Sequence, residues 1–158
     1  MAIIGEFKRL IALLPKKYYK LLLLVGSSGG DNISFINEIC SDNAYRYRYI
    51  NLNYALSKRL KEIPIGERGY YVYECIDNIV DDNESDFLVL DHIEIIFSKH
   101  LQIEPLRTLK NIAKYRKVIS AWPGHIKDGY LTYAEPWHKE HVRYSLSKLE
   151  CLYICKGP

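Results

Sequence analysis

The sequence predicts an α/β protein with a mostly parallel β-sheet flanked by helices, in a single domain over residues 1–158. Short aliphatic runs at residues 21–25, 87–90 and 118–121 have the uninterrupted apolar character of strands that are buried on both faces. Segments with helical periodicity separate these runs, and strands that alternate with helices usually form a parallel sheet. The length of 158 residues fits one domain, and a hydrophobic content of 48% excludes a disordered chain.

The first half of the chain contains the following predicted elements. An apolar repeat at helical spacing predicts a helix over residues 3–14, which Pro15 ends. The strand at 21–25 enters a glycine cluster, and a short helix is predicted over 34–40. Residues 45–52 alternate tyrosine with arginine, which indicates a strand with one exposed face or edge. Two helices follow, over 54–62 and 67–81.

The second half continues the alternation. The strands at 87–90 and 118–121 lie on either side of a helix that begins at Glu104 and Pro105, because proline is favoured at the first helical position. Residues 128–133 have the pattern of a hairpin turn and a strand. A last strand is predicted over 149–154, and the region after the fourth strand is expected to form a short, irregular C-terminal elaboration.

Charge and cysteine content exclude other classes of protein. The longest aliphatic run is far too short to span a bilayer. Glu6, Lys8 and Arg9 interrupt the N-terminal apolar stretch, which is therefore not typical of a signal peptide. The four cysteines include no CxxC pair. We therefore expect a reduced, cytoplasmic protein that does not bind membranes.

The turn after the first strand has the features of a phosphate-binding loop. An aliphatic strand, a glycine-rich turn and a helix start follow one another, and backbone N–H groups in such a turn can hold phosphate. Against the pattern GxxxxGK(S/T), Asp31, Asn32 and Ile33 stand where the second glycine, the lysine and the hydroxyl belong. The candidate nucleotide-binding residues are Gly26, Ser27, Ser28, Gly29, Gly30, Asp31, Asn32 and Ser34.

A carboxylate follows the 87–90 strand. Asp91 stands where P-loop NTPases have the acid that orients magnesium and its water shell, and Ser120 takes a sensor-like place on the next strand. Many such ATPases have a glutamate base directly after that acid, but here His92 follows it and Glu94 comes two positions later. Asp91 and Glu94 are the candidate catalytic residues, and Asp91 is the candidate magnesium ligand when nucleotide is bound. A buried strand with a capping aspartate is the structural alternative.

A basic stripe is the candidate nucleic-acid interface. Spacings of 3, 4 and 3 put four basic residues on one face of the helix that begins at Pro105, where they would follow a phosphate backbone. A solvated helix face is the simpler explanation. The four residues are Arg107, Lys110, Lys114 and Lys117.

Several segments of the chain are similar to one small family. They are Leu-Asp-His-Ile-Glu-Ile-Ile-Phe at 90–97, Glu-Pro-Leu-Arg-Thr-Leu-Lys-Asn at 104–111, Ala-Trp-Pro-Gly at 121–124 and Asp-Gly-Tyr-Leu-Thr-Tyr-Ala-Glu-Pro-Trp-His at 128–138. Over nearly its whole length the chain resembles the BrxF family of small P-loop proteins from bacteriophage-exclusion (BREX) defence systems. The resemblance implies an AAA-like P-loop NTPase fold, antiphage defence beside larger partner proteins of the BREX system, nucleotide binding through the loop at 26–34 and magnesium handling through Asp91.

The missing loop lysine determines the expected activity. A hydrogen bond to a charged group contributes about 1.5–3 kcal/mol, so its loss costs roughly 10- to 150-fold in phosphate affinity. Asp31 also brings a carboxylate close to the phosphates. We expect weak or absent ATP hydrolysis and a retained scaffold role. An active ATPase that uses Ser34 or a neighbouring subunit's basic residue and a DNA-binding accessory protein are the alternatives, and a homo-oligomer is left open.

Overall fold

A computed structural model describes residues 2–26, 30–43, 45–81 and 84–155, with side chains for all of these except 2, 30–33, 39, 42 and 43. Helices and strands alternate along most of the chain, with several short 3₁₀ turns between them. The elements are α1 (Ala2–Leu13), β1 (Leu21–Val25), α2 (Gly30–Asn43), β2 (Tyr47–Asn51), α3 (Leu52–Leu60), α4 (Arg68–Val80), β3 (Phe87–Asp91), α5 (Pro105–Ile112), β4 (Val118–Trp122), β5 (His125–Lys127), β6 (Tyr130–Tyr133), β7 (Val142–Ser145) and β8 (Leu152–Cys155).

Five of the strands form one parallel sheet in the order β2-β3-β4-β1-β8. The predicted strands at 21–25, 87–90 and 118–121 are present as β1, β3 and β4, and β3, β4 and β1 are neighbours in this order. The last predicted strand is present as β8 and pairs with β1, so it belongs to the main sheet. The coarse prediction of a mostly parallel α/β sheet flanked by helices is therefore correct.

Both faces of the sheet are covered, which explains the unbroken apolar runs. Leu21, Leu23 and Val25 belong to a core that also contains apolar side chains of α3, α4 and α5. Leu22 and Leu24 point the other way, into a second core with α1 and α2. The chain moves in opposite directions along the sheet from β1 to β2 and from β2 to β4. Right-handed crossovers then require α2 and the later helices to lie on opposite faces.

A three-stranded antiparallel sheet, β5-β6-β7, follows β4 and gives the C-terminal elaboration a regular structure. Its turn at Asp128 and Gly129 has positive φ at both residues, as a tight hairpin turn requires. Leu131, Tyr133 and Tyr144 lie in or against the core on the α3–α5 face, so the small sheet covers part of the large one.

Some helix boundaries differ from the predictions. α2 begins at Gly30, four residues earlier than predicted, directly after the loop. α3 begins at Leu52, within the predicted second strand, because the side chain of Asn51 accepts a hydrogen bond from the Tyr54 N–H at 3.0 Å and caps the helix. α1 ends at Leu13 and a 3₁₀ turn carries Pro15. No helix in the described part of the chain is long and apolar enough to span a bilayer.

Candidate functional site

The carboxyl edge of the large sheet has a topological switch point between β1 and β4. The connection after β1 leads to α2 on one face of the sheet, whereas the connection after β4 leads to the small sheet on the other face. Open α/β sheets bind ligands in the crevice that such diverging connections leave. The loop that follows Val25 leaves the sheet at this switch point.

Gly26 starts this loop in a conformation that favours glycine. Its φ is 122°, and its N–H donates to the carbonyl oxygen of Trp122 at 3.2 Å, which holds the beginning of the loop against the end of β4. The predicted site residues Ser27, Ser28 and Gly29 lie outside the described residues.

The helix that follows the loop begins earlier than the sequence suggested. Gly30, Asp31 and Asn32 belong to the first turn of α2, and their side-chain positions are outside the described part. Ser34 is exposed on the second turn. The first N–H groups of a helix have no partner within the helix, and the helix dipole is positive at this end. The N-terminal turn of α2 therefore begins four residues after Gly26, with unpaired N–H groups and a positive dipole end.

Asp91 ends β3 at the same edge of the sheet. In register it is level with Ala121 of β4 and hence with Leu24 of β1. Two strand spacings put its backbone about 10 Å from that of β1. Its carboxylate is 1% exposed, so Asp91 does not point into solvent. The predicted magnesium ligand thus lies two strand spacings from β1 and Gly26, with β4 between them.

The carboxylate of Asp91 is held by two donors. The Tyr49 hydroxyl of β2 donates to Oδ2 at 3.0 Å, and the N–H of His92 donates to Oδ1 at 3.0 Å. Burial first, and then the hydrogen bond to Asp91, raise the pKa of Tyr49 to about 12. Each carboxylate oxygen has a second lone pair. A metal-bound water would have to use one of these lone pairs, and it could reach the carboxylate only after the surrounding residues move, because the side chain is 1% exposed.

Glu94 is the second candidate carboxylate, and Asn53 holds it in place. The Asn53 amide donates to Glu94 Oε1 at 3.1 Å, while its oxygen accepts the Ile95 N–H at 2.7 Å. His92, between the two acids, has a left-handed φ of 50° and places Nε2 3.8 Å from Asp91 Oδ2. Among the described residues, no group of three or more His, Cys, Asp or Glu side chains is arranged to hold a metal ion.

Tyr49 and Asn53 are the site residues that sequence reasoning missed. Both come from β2 or the start of α3, and they reach Asp91 and Glu94 only because β2 pairs with β3, with Asn51 opposite Asp91. The signal in the sequence was the pair Asn51 and Asn53 around the end of the predicted second strand, because polar side chains there reach the carboxyl edge of a sheet.

The end of β4 and the residues directly after it have a structural role. Trp122 is fully buried, and its Nε1 donates to the Thr132 carbonyl at 3.0 Å. A Cβ on Gly124 would lie 1.6 Å from the same carbonyl oxygen, so only glycine fits there. Ser120 is buried two residues before the end of β4, and its hydroxyl donates to the Ala121 carbonyl at 3.0 Å. The Ala-Trp-Pro-Gly segment therefore fixes the small sheet against the large one.

The prediction of a basic stripe on one helix face was wrong. α5 ends at Ile112, so Lys114 and Lys117 lie in the connection to β4. On the helix itself, Lys110 is 12% exposed and forms an ion pair with Glu150 at 2.9 Å, which neutralises it. Arg107 is exposed in the first turn, where its backbone N–H donates to Glu104, the N-cap of α5. A groove of about 610 Å³ beside α5 is lined by both signs of charge.

Comparison of the chain with protein-family models, with curated proteins and with solved structures finds no match. Any assignment of function therefore depends on the sequence resemblance and on the geometry of the carboxyl edge.

Proposed function

We propose that the chain is a P-loop-fold component of a bacterial antiphage defence system of the BREX type, which binds a phosphate-bearing ligand such as ATP weakly at the carboxyl edge and acts mainly as a scaffold for larger partner proteins. The observation that carries the proposal is the strand order. It brings Gly26, directly after β1, and the buried Asp91, at the end of β3, to the same edge, separated by β4 alone.

The backbone of the loop region favours phosphate binding, whereas its side chains predict that the binding is weak. The first turn of α2 offers backbone N–H groups and the positive end of a helix dipole to an anion. Asn32 replaces the lysine that would neutralise the phosphates, and Asp31 adds a negative charge in the same turn. We therefore expect affinity for ATP to be lower by roughly 10- to 150-fold than in a loop with lysine.

The arrangement of the two candidate carboxylates, Asp91 and Glu94, favours a scaffold role over ATP hydrolysis. With nucleotide bound, Mg²⁺ would neutralise phosphate charge, and Asp91 would hold one of its waters. A general base needs a carboxylate that can approach the attacking water. Glu94 is instead tied to Asn53, and His92 follows Asp91 in the place of a glutamate. An active ATPase is thus the weaker alternative.

Calorimetry with ATP and MgCl₂, followed by a phosphate-release assay on the same preparation, tests this proposal. Weak magnesium-dependent heat without phosphate release is the expected result. Tight binding with steady release would replace the scaffold proposal by the active ATPase.

The proposed partners need a separate measurement. Affinity capture of the tagged chain from bacteria that carry the neighbouring defence genes should recover the larger proteins of that system, identified by mass spectrometry. Capture with the tag alone is the control for non-specific recovery. Recovery of none of those proteins would contradict the scaffold role.

A further inference from the structure

The amino edge of the large sheet, opposite the carboxyl-edge site, brings two basic segments together. Residues 16–20 read Lys-Lys-Tyr-Tyr-Lys and precede β1, whereas residues 114–117 read Lys-Tyr-Arg-Lys and precede β4. The Lys20 N–H donates to the Ala113 carbonyl at 2.8 Å, and the Val118 N–H donates to the Lys20 carbonyl at 2.8 Å. Because β1 and β4 are parallel neighbours, the segments that precede them must lie side by side.

The two segments concentrate positive charge. Among the described residues, none of their six basic side chains forms an ion pair with a carboxylate. The Lys20 ammonium donates to the carbonyl oxygens of Lys17 at 3.2 Å and Lys114 at 3.4 Å. Asp86 lines the adjoining cavity, where its carboxylate accepts the Arg46 N–H at 2.8 Å. We call this surface the amino-edge patch, and its cations are Lys16, Lys17, Lys20, Lys114, Arg116 and Lys117.

Exposed aromatic rings lie among these cations. The side chains of Tyr18 and Tyr115 are 72% and 86% exposed, one on each segment. Tyr19 packs edge-on against Tyr18, with ring centroids 4.7 Å apart, and supports it from behind. A cavity of about 240 Å³ opens beside Tyr115 and is lined by Arg116 and Lys117. An exposed aromatic ring of this size is hydrated unfavourably unless it contacts a partner. Each ring also presents a flat face on which a base can stack.

We propose that the amino-edge patch binds single-stranded nucleic acid, with its cations on the phosphates and with bases stacked on Tyr18 and Tyr115. Positive grooves with interleaved aromatic rings are the general means by which proteins hold single strands. A duplex would offer its phosphates but not its base faces. An anionic bilayer is disfavoured because the patch consists of two short connections, which follow Lys16 and Ile112, and an interfacial membrane site needs an amphipathic helix with an apolar face.

This patch differs from the basic stripe that the sequence predicted. Lys114 and Lys117 contribute to it from the connection after α5, while Lys110 is occupied by Glu150. Lys114 and Lys117 lie beside the segment that precedes β1, more than ninety positions away in the chain. The patch also lies at the opposite edge of the sheet from the nucleotide site, so the two proposals stand or fall separately.

Fluorescence anisotropy with labelled dT12 and U12, on the full chain and without nucleotide, tests the proposal. Tyr18→Ala and Tyr115→Ala should each weaken binding by roughly 5- to 150-fold, the range that loss of one stacked base gives. Tyr70→Ala removes an equally exposed ring on α4, and it should leave binding unchanged. The difference in affinity between dT12 and U12 identifies which single strand is preferred.

A salt titration tests the contribution of the cations. The double variant Lys16→Gln/Lys17→Gln should reduce the slope of log affinity against log salt by about 1.4, since each phosphate contact to a single strand contributes about 0.7. Lys58→Gln/Lys139→Gln, which changes two exposed lysines outside the patch, should leave the slope unchanged. Thermal unfolding of every variant verifies that it is folded.

Four outcomes would overturn the proposal. They are the absence of oligonucleotide binding, affinity that is unaffected by both tyrosine variants, equal or tighter binding of a dT12·dA12 duplex, and lysine-dependent binding of phosphatidylserine vesicles in place of oligonucleotides.

Discussion

Tyr49→Phe removes one hydroxyl and should destabilise the protein through Asp91. The hydroxyl donates to a carboxylate that is 1% exposed, and hydrogen bonds to charged groups contribute about 1.5–3 kcal/mol. Tyr49 itself is 37% exposed, so water can partly replace it, and we expect a loss of about 1.5 kcal/mol. For a chain of this size that corresponds to a decrease in Tm of roughly 3–6 °C.

The control is Tyr45→Phe. Tyr45 is also 37% exposed and packs edge-on against Phe87, and no described group hydrogen-bonds to its hydroxyl. Urea unfolding of the three proteins, at pH 7 and at matched protein concentration, measures the difference. A Tyr49→Phe variant within about 0.5 kcal/mol of Tyr45→Phe, the range of an ordinary surface substitution, would show that Tyr49 does not hold Asp91 as described.

The difference in unfolding free energy between the parent and Tyr49→Phe should depend on pH. The pKa of Tyr49 is raised to about 12 in the folded protein, above its ordinary value of 10. The stability that its neutral hydroxyl contributes is therefore fully present below pH 10 and is lost as the pH rises through the folded pKa. The stability difference between the parent and Tyr49→Phe should narrow between roughly pH 10 and pH 12. A constant or widening difference would contradict the assigned partner.

Two further predictions concern the elements around the site. Gly124→Ala should lower the free energy of unfolding by about 3 kcal/mol or more in the same denaturation assay. The new Cβ would lie 1.6 Å from the Thr132 carbonyl oxygen and would break the Trp122–Thr132 hydrogen bond. Gly66→Ala is the control and should be nearly neutral, because a Cβ there has nothing within 4 Å. Asn51→Ala should cost about 1 kcal/mol through loss of the α3 cap, and Asn51→Asp should restore most of it; equal stability of the alanine variant and the parent would show that the cap is dispensable.

The parallel sheet could be predicted from the sequence because each core strand is buried on both faces. Leu21–Val25, Phe87–Asp91 and Val118–Trp122 are buried along their whole length, so the apolar run itself reports the environment. Helix ends were less predictable. The start of α2 follows a loop with no apolar pattern, and the start of α3 depends on a side-chain cap at Asn51.

The site could be predicted only in part. The glycine turn and Asp91 are each visible beside a strand, but the contacts that orient them are made between strands. Tyr49 lies 42 positions before Asp91, and only the β2–β3 register brings the two together. The same limit applies to the amino-edge patch, whose two segments meet because β1 pairs with β4. The basic stripe failed because its periodicity extended past Ile112, where the helix ends.

We propose that the carboxyl edge holds a phosphate site whose loop has asparagine, Asn32, in place of the lysine. The most direct test rebuilds that loop with Asp31→Gly, Asn32→Lys and Ile33→Thr, and compares ATP binding of parent and triple variant by calorimetry in MgCl₂. The lysine restores a charge-assisted contact and the threonine offers a hydroxyl, while the glycine in the first turn of α2 costs up to about 1 kcal/mol of stability. We predict that the triple variant binds ATP at least about tenfold more tightly than the parent, and that adding Asp91→Asn removes the magnesium dependence of this gain. Equal affinities, or no measurable binding in either protein, would contradict the claim.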